Sequence, residues 1–327
     1  MTGVPVDIRV ALLRQYGGFS QAHSTTFQPG LLHFGDERGF LAYKYVWGTA
    51  MALADPMAPS HLADDLIDRF LHEHRDAAFW DISYPVARIL ATRGFRVNEL
   101  GIETRINLGS YTFNGQQKRN LRKATRKATQ LGYVIREHPL TQVDRNIVRA
   151  VSDAWRRTRT IGRREVTFLT RPIAVEEEPD VRWFFAYDRN ETMVACCICD
   201  PLYEAGTLVG YGAITRQRLD ADGMIGHALK RHVIETLQRE GKKWLTFGLS
   251  PVDKVDKIHD FDRDWAVRRG LKYASRNWLF NRFVYPLQGH ALHKRQFGGD
   301  TQQSFLAFNK GIGLIRLIKL LRACRII

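Results

Sequence analysis

The run Met193–Leu202, MVACCICDPL, is apolar at nearly every position, so an extended strand of this sequence shows apolar side chains on both faces. A strand of that kind has to be covered on both sides, which restricts the chain to a layered fold of central strands with helices packed over them. RWFFAYD precedes it across the turn RNE and forms a hairpin with it, and GTLVGYGAIT extends the sheet. The covering helices are legible from their period. MIGHALKRHVIETLQREG lines one face with Ile225, Ala228, Leu229, His232, Val233, Thr236 and Leu237, with Asp222 as its cap and Gly241 as its end. LTQVDRNIVRAVSDAWRRTRT reads as a long helix whose buried stripe is Val143, Ile147, Ala150, Val151 and Ala154. KKWLTFGLSP is the strand that follows.

The first hundred residues repeat this alternation on a smaller scale. LLHF, FLAYKYVWG and TAMALADP form an antiparallel meander, and SHLADDLIDRFLHEH follows as a helix through Leu62, Leu66, Ile67, Phe70 and Leu71, with Ser60 as cap. AAFWDISY, a short helix in PVARILATRG and the strand RVNELGIETRINL complete the alternation. The polar segment GSYTFNG separates the halves. The expected organisation is an N-terminal domain over 1–110, a basic connecting helix over 111–132, a second domain over 133–310 and a basic amphipathic tail over 311–327. The fold class is α+β, with mixed, mainly antiparallel sheets flanked by helices.

Lys and Arg number 49 against 34 Asp and Glu, a net charge of +15 that favours polyanionic partners. The excess concentrates in QQKRNLRKATRKATQ. Leu121, Ala124, Ala128 and Leu131 make a narrow apolar seam there, while Lys118, Arg122 and Arg126 form one i, i+4 row and Arg119, Lys123 and Lys127 the next. Like charges at that spacing repel, which points to an anion lying across the face. The tail NKGIGLIRLIKLLRACRII has no acid. Leu314, Leu317, Leu320, Leu321 and Cys324 share one side of its helical wheel, the basic residues from Arg316 onward fall mostly on the other, and Ile315, Ile318 and Ile326 interrupt the separation, a pattern suited either to an anionic bilayer or to docking on its own domain.

Other chemistry is excluded or disfavoured. Cys196, Cys197, Cys199 and Cys324 lack zinc-site spacing and read as small buried residues of a reduced protein. No histidine pair suits a metal and no nucleophile elbow is present, so no metal or cofactor is expected. The N-terminus is not a signal peptide, and no window is long and apolar enough to span a membrane. The loop TRQRLDADGMIG sits at a strand-to-helix passage, where acetyltransferases of the GNAT type cradle a pyrophosphate. Asp220 and Asp222 place negative charge there, against coenzyme A.

In order along the chain, LADPMAP, KRNLRKATRKA, SDAWRR, TFGLSP, YPLQGHALHKRQF and FLAF resemble the cytosolic C-terminal domain of bacterial aminoacyl-phosphatidylglycerol synthases, the lysyl- or alanyl-phosphatidylglycerol synthases also called multiple peptide resistance factors. The resemblance covers roughly residues 10 to 310. It implies two tandem GNAT-like domains and transfer of an aminoacyl group from aminoacyl-tRNA to the hydroxyl of an anionic, phosphatidylglycerol-like lipid. It implies Arg216 and Lys294 as catalytic residues, with Lys118, Arg119, Arg122, Lys123, Arg126, Lys127 and Gln288 binding substrate or tRNA. The Asp of the family's Asp-x-x-Arg element is replaced by Ala213, which removes a partner for an ammonium group. The family's multispanning segment is not in this sequence, and the expected location is cytoplasmic, or peripheral on the inner face of the membrane. The alternatives are an acyltransferase using acyl-coenzyme A or an acyl carrier, and a non-catalytic relative that binds RNA or membrane.

Overall fold

The computed structural model describes residues 3–157, 165–255, 259–261, 264–278, 281 and 287–326. Thr158–Thr160, at the end of one expected helix, and Tyr285–Pro286, at the start of one motif, lie outside the described residues.

The strands are β1 (Leu32–Asp36), β2 (Gly39–Val46), β3 (Thr49–Met57), β4 (Ala77–Ile82), β5 (Arg96–Asn107), β6 (Val134–Glu137), β7 (Arg182–Tyr187), β8 (Met193–Glu204), β9 (Thr207–Gln217), β10 (Trp244–Pro251) and β11 (Asp300–Phe308). The helices are α1 (Val6–Tyr16), α2 (Ala22–Phe27), α3 (Ala63–Glu73), α4 (Tyr84–Thr92), α5 (Arg119–Gln130), α6 (Arg145–Arg157), α7 (Ile225–Arg239), α8 (Trp265–Arg276), α9 (Leu287–Arg295) and α10 (Gly313–Ala323). All the strands join one sheet in the order β1-β2-β3-β4-β11-β5-β10-β9-β8-β7-β6. The sheet is thus mainly antiparallel and continuous through both halves of the chain. β11, from residues 300–308, inserts between β4 and β5, so the sheet of the first 110 residues is completed from the far end of the sequence.

Two contacts in the sheet are parallel. β3 pairs with β4 over Ala50–Leu53 and Ala77–Trp80, and β9 pairs with β10 over Gly210–Gly212 and Trp244–Thr246. Each parallel pair is linked by a crossover helix, α3 in the first and α7 in the second, as a parallel connection requires. In both, pairing stops partway and the later strand of the pair turns through a left-handed residue: Asp81 (φ +62°) in β4 and Gly248 (φ +65°) in β10. The two strands of each pair therefore part, leaving two openings in the sheet.

β8 is buried from Met193 to Tyr203, as its apolar sequence requires. The three neighbouring cysteines and Cys324 are buried free thiols. α7 buries six of its seven expected positions, His232 being half-buried. α6 differs from expectation: its buried residues are Val148, Val151 and Ser152, while Ile147 stands 45% exposed. The period was right and the phase was not, because the helix packs on β8 and β9 through the neighbouring stripe and leaves Val143, Ile147 and Ala154 along a groove. The caps also differ. Ser60 lies in a short 3-10 turn with no side-chain cap bond, and Asp222 accepts from the Met224 N–H ahead of α7 instead of capping it. The helices α1 and α2 had no strong periodic signal.

Candidate active site at two facing openings

β4 and β10 run in opposite directions on either side of the β11–β5 pair, so their openings approach one another at mid-sheet. Leu249 of β10 stands opposite Glu103 of β5, and Phe305 of β11 stands opposite both Ile82 and Glu99. Asp55, Asp81, Glu103, Lys294 and Lys230 collect around this level.

Lys294 comes from the last turn of α9. The left-handed Gly248 turns backbone carbonyls out of the ladder, and Lys294 Nζ donates to Gly248 O at 3.0 Å and Leu249 O at 2.6 Å. Loss of water, reinforced by the nearby Lys230 charge, brings the Lys294 ammonium down to about 7, against the pull of Glu103 and Asp81. Lys294 as a whole residue is half-buried, with its Nζ turned inward onto these carbonyls. Lys230, on the inner face of α7, is 7% exposed and meets His293 Nε2 at 2.8 Å; burial lowers it to about 8.

The acids face these lysines. Glu103 accepts from the Ser20 hydroxyl, and burial together with the Asp81 charge pushes it up to about 8. Asp81 is held by Gln21 Nε2 at 3.0 Å and the Ser304 hydroxyl at 2.6 Å, and burial raises its carboxyl also. Asp55 accepts from the Ser83 N–H at 2.8 Å and is pushed up to about 6 by desolvation. Two lysines lowered and three carboxyls raised within one neighbourhood form the kind of mutually perturbed cluster that marks a candidate functional site.

Arg216 does not join this set. Ala213 and Thr215 of β9 face α7, whereas Ile214 and Arg216 face α6. Arg216 is 3% exposed, bonds Glu165 at 2.6 Å and lies 3.7 Å over the Trp155 ring. Gln288 lies on α9 with Lys294 but lines a separate cavity of about 440 Å³ between the end of β10, α8 and α9. Lys254, Lys272, Arg276 and Arg295 border that cavity, the last paired with Asp253.

The basic helix α5 packs on α7 through Leu121, Ala124 and Ala128, with Leu131 half-buried. Its start abuts the end of α9, where Gln117 Nε2 donates to Arg295 O and the Tyr111 hydroxyl donates to Phe297 O. The cations divide differently from the two rows of the sequence. Lys118 bonds Thr112 O and covers the Tyr111 ring at 3.5 Å, Arg122 bonds Phe113 O and Gly115 O, and Lys127 pairs with Asp222 at 2.5 Å. Arg119, Lys123, Arg126 and Lys127 are exposed, the last within its pair with Asp222.

α10 also corrects its helical wheel. Arg316 turns inward at 4% exposure, bonding the Thr49 hydroxyl, Lys310 O and Asp76, whereas Leu314, Ile315 and Ile318 remain outside. The helix is docked on its own fold by a buried cation instead of by its leucines alone.

Sequence reasoning reached Lys294 and the α5 surface but not Lys230, Asp81 or Glu103. Lys230 had a signal, since position 230 falls in phase with the apolar positions 226, 233 and 237. The acids had none, because it is the parting of strands far apart in sequence that brings them together.

The sequence matches the family described as phosphatidylglycerol lysyltransferase, C-terminal, over residues 10–308. Among curated relatives, the phosphatidylglycerol lysyltransferases of Staphylococcus xylosus and Staphylococcus epidermidis are each 23% identical over 96% of this chain. The chain spans 37% of their length. The solved structure of L-PGS from Bacillus licheniformis superposes with a TM-score of 0.79 at 18% identity, covering 99% of this chain and 97% of that one, which shows a shared fold. With the family match running across both openings, α5 and Lys294, the chain belongs to the family of phosphatidylglycerol lysyltransferase C-terminal domains.

Proposed function

We propose that the chain transfers an aminoacyl group from aminoacyl-tRNA to the hydroxyl of an anionic membrane lipid of the phosphatidylglycerol type. The observation that carries this reading is the half-buried Lys294, lowered to about 7 where the two openings meet. An aminoacyl-tRNA ester is already activated, so the protein has to align the reactants, withhold water and manage one proton. Neutral Lys294 Nζ accepts the proton as the lipid oxygen attacks the ester carbonyl. The same proton passes to the ribose oxygen as the original acyl C–O bond breaks. Lys230 supplies positive charge for the oxyanion that develops.

The surrounding features take supporting roles on this reading. Asp81 and Glu103 stand in for the acid that Ala213 lacks and receive the aminoacyl ammonium. Arg119, Lys123 and Arg126 contact tRNA phosphates, next to the end of α9 that carries Lys294. The cavity at Gln288, with Lys272 and Arg276 on its border, receives the lipid phosphate. Arg216 positions α6 through Trp155. The recurrence of a parallel β-α-β unit in each half supports two tandem GNAT-like units joined by α5, and residues 311–327 provide contact with the membrane surface.

Incubation with a labelled aminoacyl-tRNA pool and phosphatidylglycerol should yield labelled lipid ester in wild type and none above background in Lys294→Met. Absence of any ester from wild type, whichever amino acid is charged, would sink the reading.

A further inference from the structure

We infer that α8 and α10, with the β2–β3 turn, form a single face that lies on an anionic bilayer, so the membrane contact is a preformed two-helix surface and not the tail alone. The two helices pack side by side at very close range. A Cβ at Gly313 would lie 2.2 Å from Val267 Cγ2, which leaves no room for a side chain there, and one at Gly270 would lie 3.0 Å from Leu314 Cδ2, a close approach that a small shift of the leucine would relieve. With Val267 and Leu271 of α8 and Arg316 and Leu320 of α10 buried, the opposite sides of both helices face outward together.

That outward face has the composition of a membrane interface. α8 presents Trp265 at 70% and Tyr273 at 68% exposure, one stripe at i, i+8, and α10 presents Leu314, Ile315 and Ile318. Trp47, 61% exposed in the β2–β3 turn, is tied beside α10 by Lys319 Nζ donating to its carbonyl at 3.0 Å. Between the apolar side chains stand the exposed Arg269, Arg276, Arg322 and Arg325, and neither helix contains an acid. Amphipathic aromatics with cations and no carboxylate complement an anionic lipid surface, where apolar side chains enter the headgroup layer and each cation adds attraction. The ion pair of the buried Arg316 with the half-buried Asp76 holds α10 in this orientation without using one of the exposed arginines. Because α8 also borders the Gln288 cavity through Lys272 and Arg276, the face brings the bilayer to the rim of that cavity. This inference rests on the lipid-acceptor reading for its purpose, although its geometry does not.

The decisive test is sedimentation of the full chain with phosphatidylcholine vesicles, with and without phosphatidylglycerol. Wild type should bind the anionic vesicles selectively, and Trp265→Ala/Tyr273→Ala should weaken binding by about tenfold, with Arg269→Glu/Arg276→Glu doing at least as much. Brominated lipid should quench wild-type tryptophan fluorescence more than that of Trp265→Phe. All these residues are exposed, so the variants should melt as wild type does, and Trp265→Ala/Tyr273→Ala should still transfer to a water-soluble short-chain acceptor. Wild-type affinity in the α8 variants would overturn the two-helix face and return the contact to α10. Failure of wild type to bind anionic vesicles while transferring to the soluble acceptor would overturn the face and leave the function standing. Vesicle binding with this variant pattern but no transfer to any acceptor would support the face and defeat the function. Self-association lost in the same variants, without vesicle binding, would assign the surface to a second copy and overturn the proposal.

Discussion

The two parallel β-α-β units are built alike and filled with opposite charge. In the first, β3 and β4 part around Asp55 and Asp81; in the second, β9 and β10 part above Lys294, with Lys230 on the crossover helix. Both use a left-handed residue to break the ladder, yet the residue differs in a way that decides chemistry. Asp81 is itself the side chain delivered to the centre, held by Gln21 and Ser304, whereas Gly248 delivers only carbonyls and leaves the side chain to come from α9. A repeated backbone device thus makes one acidic opening and one basic opening that meet at Glu103. On the proposed reading the acidic side holds an ammonium and the basic side moves the proton.

The largest test of that division is Lys294→Met against Asp55→Asn. Methionine keeps the unbranched apolar stem and removes the proton carrier, so the transfer rate should fall by about a thousandfold, within the usual span for general acid-base groups. Asparagine at 55 can still accept from Ser83 N–H, and the rate should stay within about threefold of wild type. Equal losses in initial-rate measurements would erase the functional distinction between the openings. Next in size, reversing Arg119, Lys123 and Arg126 to Glu should weaken tRNA binding by about a hundredfold at low salt and reduce the log–log salt slope by about 2 to 3. Filter binding across a salt series reads both, and an unchanged slope would remove α5 from the tRNA surface.

A pH profile sharpens the comparison further. If Lys294 acts neutral, kcat/KM should rise as pH climbs through about 7. A profile that declines from pH 6 upward would make Lys294 a fixed cation instead. The smallest effect is on stability. Asp55 is raised to about 6 in the folded chain, so the folded state holds its proton more tightly than the unfolded state does. Its contribution is therefore fully present below about 4 and is lost as pH rises through 6. Relative to Asp55→Asn, wild type should lose urea stability across that window, and parallel curves for the two proteins would show that Asp55 is not desolvated. Lys294 has the opposite sign: lowered to about 7, it disfavours the folded state at neutral pH, and stability recovers as pH rises towards the ordinary lysine value.

Much of this was open to reading beforehand, and the parts that were not have a common cause. β7, β8, β9, α7 and β10 follow from apolar runs and helical period, since local burial is written into local pattern. The seam of α5 was correct at Leu121, Ala124 and Ala128 for the same reason. The phase of α6 and the inward turn of Arg316 were misread because a neighbour chose between two stripes of similar quality. Asp81, Glu103 and Lys230 escaped notice because each lies in an element whose local role is ordinary.

The sequence by itself determined the α+β class, the alternation in each half, the concentration of positive charge in α5 and the acid-free tail, all of which depend on residues close together in the chain. Only the tertiary structure decided where β11 inserts, which cations of α5 and α10 face outward, and that an acidic and a basic opening converge at one level of the sheet. Those outcomes depend on pairing between strands as far apart in sequence as Ala78 and Phe308 and on the desolvation that follows, and no local pattern encodes either.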